Sequence, residues 1–294
     1  VEADLANFRK AAESGLDENP PAKEILPITI MLLGVGNMRG RWAEMRQIGE
    51  TVVSRYAFDD PMSEARGHLF HRLGNLANAL GDAEAAIQYF DQAAAIWDHL
   101  GIHRNRAAIL NNKGLVSQRA GDYEAAEALF LEALAINREH GNRDFEATNL
   151  NNLGLCANES GRTMEALRYY GDAAQMAREI GHEYYLAMFL DNLAIVTADL
   201  SQLDRAVELH DESLALHRKL GNKRGEASTL LNMASTLRSL GQHLKAYEHV
   251  RTGLAIKQEI GDSRGLIFSL ENLAASFIEL GQPARVVRVL ACAQ

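Results

Sequence analysis

Cysteine and proline are scarce in this chain, and each scarcity excludes something. Two cysteines, Cys156 and Cys292, lie far apart and form no motif, which fits a reducing compartment and no structural disulfide. Only five prolines interrupt 294 residues that are 47% apolar and 23% charged. That composition argues against disorder and for a helix-rich folded protein. Basic residues are outnumbered, with a net charge of −9. No basic stripe is present to neutralise a phosphate backbone, so direct nucleic-acid binding is not expected. The most apolar stretch, Ile28 to Leu33, is far too short to span a bilayer. No cationic leader opens the chain, and the expected location is cytoplasmic with no membrane partner. The sequence begins at Val1 rather than Met and stops at Gln294 inside a helical pattern, as an excised piece of a longer protein would.

What is present is a glycine that returns every 40 residues: Gly81, Gly121, Gly161, Gly241 and Gly281, with Ser201 at the missing place. A second series, Gly101, Gly141, Gly181, Gly221 and Gly261, runs half a period out of phase. Self-similarity at such a period signals stacked repeats, each burying its apolar face against its neighbours. Within one unit, Phe145, Leu150, Leu153 and Ala157 keep helical spacing, Gly161 breaks it, and Ala166, Tyr169, Tyr170, Ala173, Met176 and Ile180 resume it up to Gly181. The same reading places helix pairs at 62–80 with 83–100, 103–120 with 123–140, 143–160 with 163–180, 183–200 with 203–220, and 223–240 with 243–260. A last helix at 263–280 precedes a cut-off one from 283.

Each first helix carries a small residue: Gly74, Gly114, Gly154, Ala194, Ala234, Ala274. Glycine inside a helix costs about 1 kcal/mol relative to alanine, so a packing reason is expected, namely close approach of the partner helix. Second helices carry Ala86, Ala126, Ala166, Ala206, Ala246 and, seven residues on, Ala93, Ala133, Ala173, Ser213, Gly253. Both series fall on one face, where backbones come closest.

The residues Leu150-x-x-Leu153-Gly154-x-x-Ala157 followed by Ala166-x-x-x-Tyr170-x-x-Ala173 resemble the tetratricopeptide signature. The longer unit resembles the repeats of kinesin light chains and of bacterial regulator sensors. Lys113 departs from the pattern in place of a leucine, and His210 and Val250 in place of an aromatic. The resemblance implies an all-α, right-handed superhelical solenoid of about seven helix pairs. The regular array covers 62–294 with its last repeat truncated. Residues 1–61 read as a capping helix at 3–14, a break at Asn19-Pro20-Pro21, and a divergent pair at 24–38 and 41–56 turning at Arg39-Gly40. Trp42 there sits where Tyr123 sits in a later unit.

A looser resemblance spans the chain. The opening Asp4 to Ala12, then Leu32 to Glu44, then the repeats, then Gly281 to Ala293 resemble the C-terminal region of bacterial signal-transducing (STAND) ATPase regulators, including LuxR-type and antibiotic-regulatory activators. In that family the repeats form a sensor arm beside a nucleotide-binding switch and an effector domain. The resemblance implies a partner domain of that kind upstream in the parent protein, and a peptide or protein ligand in the concave groove.

The candidate ligand site is an asparagine ladder: Asn112, Asn152, Asn192, Asn232 and Asn272, each two residues before the small residue of its helix, with Asn111, Asn151, Asp191 and Glu271 beside it. In arrays of the resembled fold the first helices line the concave wall, and this position points into the groove. Arg119, Glu159, Asp199 and Arg238 share that face. An amide offers donors and an acceptor, so a row of them can hold an extended peptide by its backbone. The alternative is that each amide bonds a neighbouring helix's backbone across the stack, and the two can hold together. The mixed charges argue against a basic clamp for an acidic C-terminus and for a mixed peptide or partner helix.

Other motifs carry little. Gly34, Gly36 and Gly40 imitate a dinucleotide loop, but the third glycine comes one residue late and Pro27 interrupts the would-be strand. No phosphate-binding G-x-x-x-x-G-K-[ST] occurs, so no ATP hydrolysis, no cofactor and no metal is expected. His68 and His71 lack further ligands and read as a solvated helix face. His99, His103, His140 and His182 sit near turns, where cations suit helix C-termini. Cys156 reads as a core thiol, and Tyr169, Tyr170, Tyr184 and Tyr185 as packing. No acid–base couple stands out. The function expected is a peptide- or protein-binding scaffold, not an enzyme: the ligand-sensing arm of a bacterial signal-transducing regulator or, alternatively, a constitutive adaptor for complex assembly. An exposed apolar face near Val286 to Leu290 is a candidate for artificial pairing.

Overall fold

The computed structural model describes residues 22–38, 41–55, 62–262, 273, 274, 277, 278 and 281, and among these there are twelve helices and no strand. They are α1 (Ala22–Met38), α2 (Trp42–Arg55), α3 (Glu64–Ala79), α4 (Ala83–Leu100), α5 (His103–Arg119) and α6 (Tyr123–Glu139), then α7 (Arg143–Glu159), α8 (Thr163–Glu179), α9 (Glu183–Asp199), α10 (Leu203–Lys219), α11 (Lys223–Ser239) and α12 (His243–Glu259). The expected all-α repeat fold is present, and the helix ends from 62 to 260 agree with the glycine beat within a few residues. Gly34 and Gly36 lie inside α1, so no dinucleotide loop forms there. The helix read at 3–14, the break at Pro20-Pro21, the turn at Arg39-Gly40, the pair read from 263, Asn272, Glu271, Cys292 and the Val286–Leu290 face lie outside the described residues.

The turns show why the period is so regular. At Gly161 the backbone is left-handed, with φ 75°, which lets the Arg162 N–H reach Ala157 O at 2.8 Å and satisfy a last-turn carbonyl. Ser201 takes the same conformation, φ 63°, where a Cβ is disfavoured. Asp82, Asp122 and Asn222 then cap the following helices by accepting the N–H three residues on. His182 does the same for Tyr185 N at 3.3 Å. It therefore sits as an acceptor at a helix start, not as a donor at a helix end.

The chain divides into two compact units, Val1–Gly141 with α1–α6 and Asn142–Gln294 with α7–α12. From α3 onward each first helix packs most extensively on its own second helix. The first unit's core gathers Leu33, Met45, Val52, Leu73, Phe90 and Trp97. The second unit buries Tyr170 with Val196, and Leu231 and Leu237 with Val250.

The interior glycines of the first helices face aromatic rings of the second helices. A Cβ on Gly74 would lie 2.4 Å from the Phe90 ring, on Gly114 2.6 Å from Phe130, and on Gly154 2.8 Å from Tyr170. Where the residue is alanine, the partner sixteen positions on is smaller: Ala194 with His210, and Ala234 with Val250. The small residues of the second helices do approach backbone. A Cβ on Gly253 would meet Ala227 O at 3.1 Å, and Ser213 Oγ donates to Ala187 O at 2.8 Å. Cys156 is fully buried as a thiol outside any disulfide.

Candidate functional site

The ladder amides lie on α5, α7, α9 and α11, and on α5, α9 and α11 the amide nitrogen reaches back to the preceding first helix. In the first unit Asn112 Nδ2 is 2.8 Å from His71 Nε2 and donates to Asn75 Oδ1 at 2.9 Å. In the second, Asn192 Nδ2 donates to Asn151 Oδ1 at 2.9 Å and Asn232 Nδ2 to Asp191 Oδ2 at 2.8 Å. Each amide has a partner 41 residues earlier, and Asn112 has Asn75 as well, so the stagger between neighbouring helices brings each amide opposite the residue that precedes the previous rung. The cross-stack bond weighed from the sequence is thus present, made to side chains rather than to backbone.

These bonds divide the site residues into two groups. Asn151, Asn152 and Asp191 are buried, and Asn151 and Asp191 accept the bonds across the stack. Asn111, Asn112, Asn192 and Asn232 are half-buried. With their nitrogens engaged, Asn192 and Asn232 keep a carbonyl oxygen that has no hydrogen-bond partner among the described residues. Asn111 donates instead to Asn112 Oδ1 at 3.4 Å. Arg119 is exposed and donates to Asn78 O at 2.5 Å, the C-terminal turn of α3. Glu159 and Asp199 are exposed and Arg238 is half-buried, about two turns from the rungs.

Several partners were not singled out from the sequence. His71 takes the first place in the series His71, Asn111, Asn151, Asp191; stepping the period back once would have found it. It is no solvated histidine. Its ring packs edge-on to Trp97 at 5.5 Å and tilted to Phe90 at 6.2 Å, and burial, with Arg72 and His68 nearby, pushes its pKa down to about 4. Asp191 holds two donors, Asn232 on one oxygen and His210 Nδ1 on the other at 2.8 Å, and His210 Nε2 lies 3.5 Å from Thr236 Oγ1. This chain is sealed in the core, His210 being fully buried, so it organises the stack and offers no nucleophile to solvent. Tyr170 packs in the core, whereas Tyr184 is exposed.

Two recesses open on first helices. In the first unit, an open one of about 630 Å³ lies among Pro27, Ile30, Met31, His68 and Arg72. In the second unit, one of about 220 Å³ adjoins the ladder, with Met188, Asp191 and Asn192 on α9 and His217 at the end of α10. Among the described residues no group of three or more His, Cys, Asp or Glu side chains is placed to hold a metal. No described helix is long and apolar enough to cross a membrane.

The repeat geometry and the glycine–aromatic pairs meet their counterpart in a family model for the tetratricopeptide repeat, which matches residues 65–139, 105–179, 145–219 and 184–259. The chain belongs to the tetratricopeptide repeat family. No curated protein sequence matches it. Among solved structures, a STAND protein with a tetratricopeptide repeat sensor from Pyrococcus horikoshii aligns with TM-score 0.71 and 17% identity over 92% of this chain and 41% of that one. Aspartyl phosphate phosphatase F from Bacillus subtilis aligns with TM-score 0.68 and 15% identity, covering 92% and 71%. NprR in complex with its cognate peptide NprX aligns with TM-score 0.66 and 13% identity, covering 99% and 84%. At these identities the likeness establishes the tetratricopeptide fold.

Proposed function

We propose that this chain is a non-catalytic peptide- or protein-binding scaffold, and that its first-helix face holds an extended ligand by the ligand's own backbone. The observation that carries the reading is the pair of half-buried amides, Asn192 and Asn232, whose nitrogens are fixed by Asn151 and Asp191 and whose oxygens are left over. A row of preoriented acceptors suits the N–H groups of an extended chain and demands no particular side chain. Fixing the amide beforehand also spares the ordering entropy that a free side chain would lose on binding.

The likeness to a STAND repeat sensor and to a peptide-bound regulator supports a place in a bacterial cytoplasmic regulator, as the ligand-sensing arm beside a nucleotide-binding domain. Ligand capture would then bias how the arm sits against that domain. The test begins with peptides that co-purify from the native host, identified by mass spectrometry. Asn192→Ala with Asn232→Ala should weaken the recovered peptide at least tenfold, about 1.4 kcal/mol, in a protein that remains helical. Unchanged affinity with a lowered melting temperature would show the amides to be purely structural.

A further inference from the structure

Within the second unit, the recess beside Asn192 differs from the two first helices before it in what is missing there. The position that carries Phe145 in α7 and Tyr185 in α9 is Gly225 in α11. In α9 the Tyr185 ring stacks on His182 at 4.1 Å and on Phe189 at 5.7 Å. In α11 no ring is supplied, and His217 fills part of the space: a Cβ on Gly225 would fall 2.3 Å from His217 Cε1 and 2.4 Å from Nδ1. The remaining volume, about 220 Å³, has the size of one side chain, not of a peptide.

The hydrogen bonds fix the proton on His217. Asn222 Oδ1 accepts the Gly225 N–H at 3.0 Å, so its amide nitrogen is the group that faces His217 Nδ1 at 3.1 Å. Nδ1 is therefore an acceptor and the neutral ring carries its proton on Nε2. Burial holds the imidazole below its usual pKa and favours that neutral form. His217 is 2% exposed, lines the recess, and its Nε2–H has no partner among the described residues. Asn192 adds a free oxygen. Asp191 also lines the recess with both oxygens already engaged.

We propose that this recess receives a single tyrosine side chain of a bound peptide. The inference rests on the peptide-binding reading and names its anchor. A phenol fits on three counts. Its ring replaces the one absent at Gly225 and covers Tyr184 and Met188, which are 47% and 37% exposed; ring–ring and sulfur–ring contacts both favour such a guest. Its hydroxyl accepts from His217 Nε2–H and donates to Asn192 Oδ1, satisfying both leftover groups with one neutral atom. A carboxylate would meet the charge of Asp191 as well as that of the exposed Arg224, and the glutamate probe below decides which prevails. A lysine would find both Asp191 oxygens taken and Arg224, which has no partner among the described residues, beside it.

The test uses the full chain and three probes, the N-acetyl amides of tyrosine, phenylalanine and glutamate, with the His217 imidazole followed by NMR. The tyrosine probe should shift that signal saturably at about millimolar concentration, and the phenylalanine probe should bind about tenfold more weakly for want of the hydroxyl. His217→Phe, read by saturation transfer to the probes' own ring protons instead of the lost imidazole, should bring the two to parity. Ser228→Trp, which fills the recess from its edge, should abolish both. Equal binding of tyrosine and phenylalanine probes to the unaltered chain, preference for glutamate, or no saturable shift overturns the proposal. If the co-purified peptide loses affinity in the Asn192/Asn232 variant but not in Ser228→Trp, the tyrosine anchor fails while the backbone-binding reading stands.

Discussion

The sharpest consequence of the packing is a pair of substitutions at the Gly154–Tyr170 contact. A Cβ on Gly154 would lie 2.8 Å from both Tyr170 Cδ1 and Cε1, closer than such atoms approach. Gly154→Ala alone gains about 1 kcal/mol of helix propensity and loses about 1–3 kcal/mol to overpacking against a ring that is 2% exposed. The expected net is a destabilisation of about 1 kcal/mol. Tyr170→Val alone leaves a cavity and costs about 2–4 kcal/mol. Together they reproduce the Ala234–Val250 pair that the chain already uses two repeats later, because the new methyl fills part of the space the ring vacates. The double variant should be less destabilised than the sum of the singles by about 1–2 kcal/mol. Urea unfolding of all four proteins, followed by far-UV circular dichroism, measures this directly. Additivity within about 0.5 kcal/mol, or a Gly154→Ala chain that is stabilised by its full propensity gain, refutes the claim that ring contact selects glycine.

Ser201→Gly should raise the urea midpoint by the equivalent of about 0.5–1 kcal/mol, since it relieves a left-handed residue with φ 63° at some cost in unfolded-state entropy; an unchanged midpoint counts against strain there. His71, held at about 4 in the fold against about 6.5 unfolded, gives full stability above the unfolded value. As pH falls from about 6.5 to 4 the unfolded chain binds a proton that the fold refuses, removing at most about 3 kcal/mol. His71→Gln, which keeps a partner for Asn112, should flatten that slope by about one proton, and an unaltered slope means that His71 is freely solvated. Asp191→Asn should cost about 1–3 kcal/mol, because the amide NH2 that replaces one carboxylate oxygen would face a donor, His210 Nδ1–H or Asn232 Nδ2; a loss under about 0.5 kcal/mol would mean that the buried chain is not formed.

The helices were readable because the turn chemistry is local. Gly161 and its equivalents announce a left-handed residue from sequence alone, and Ser201 could be placed by period even without a glycine. The interior glycines announced close approach but not what approaches, since the ring of Tyr170 reaches Gly154 only once two helices are packed. The ladder was legible as a row, yet its bonding was not. A period of 40 suggests rung to rung, whereas the bonds step 41, from Asn192 to Asn151 and from Asn232 to Asp191; that offset is the stagger between neighbouring helices. Histidines were read least well. His71, His182, His210 and His217 are respectively an aromatic-packed rung, a helix cap, a core donor and a recess wall, and only the neighbours brought by the fold distinguish them. The recess itself comes from a side chain absent at Gly225, which in sequence looks like ordinary variation.

The offset bonds also bear on why polar groups are retained where apolar ones would pack. A buried couple such as Asp191–His210 contributes little net stability, because desolvation offsets its attraction. Apolar stacking of near-identical helices, however, tolerates a slip of one turn, since alanines and leucines recur on every turn of the packed face. A slip of that size would part Asn192 from Asn151 and Asn232 from Asp191 and leave buried polar atoms unpaired, at about 1–3 kcal/mol each. Each rung thus penalises the wrong stagger more than it rewards the right one. The series runs Asn151, Asp191 and then Leu231, which joins Leu237 and Val250 in an apolar cluster. On this argument register is enforced by polar rungs around Asn192 and Asn232, the place proposed above for a ligand, and is left to apolar packing beyond them.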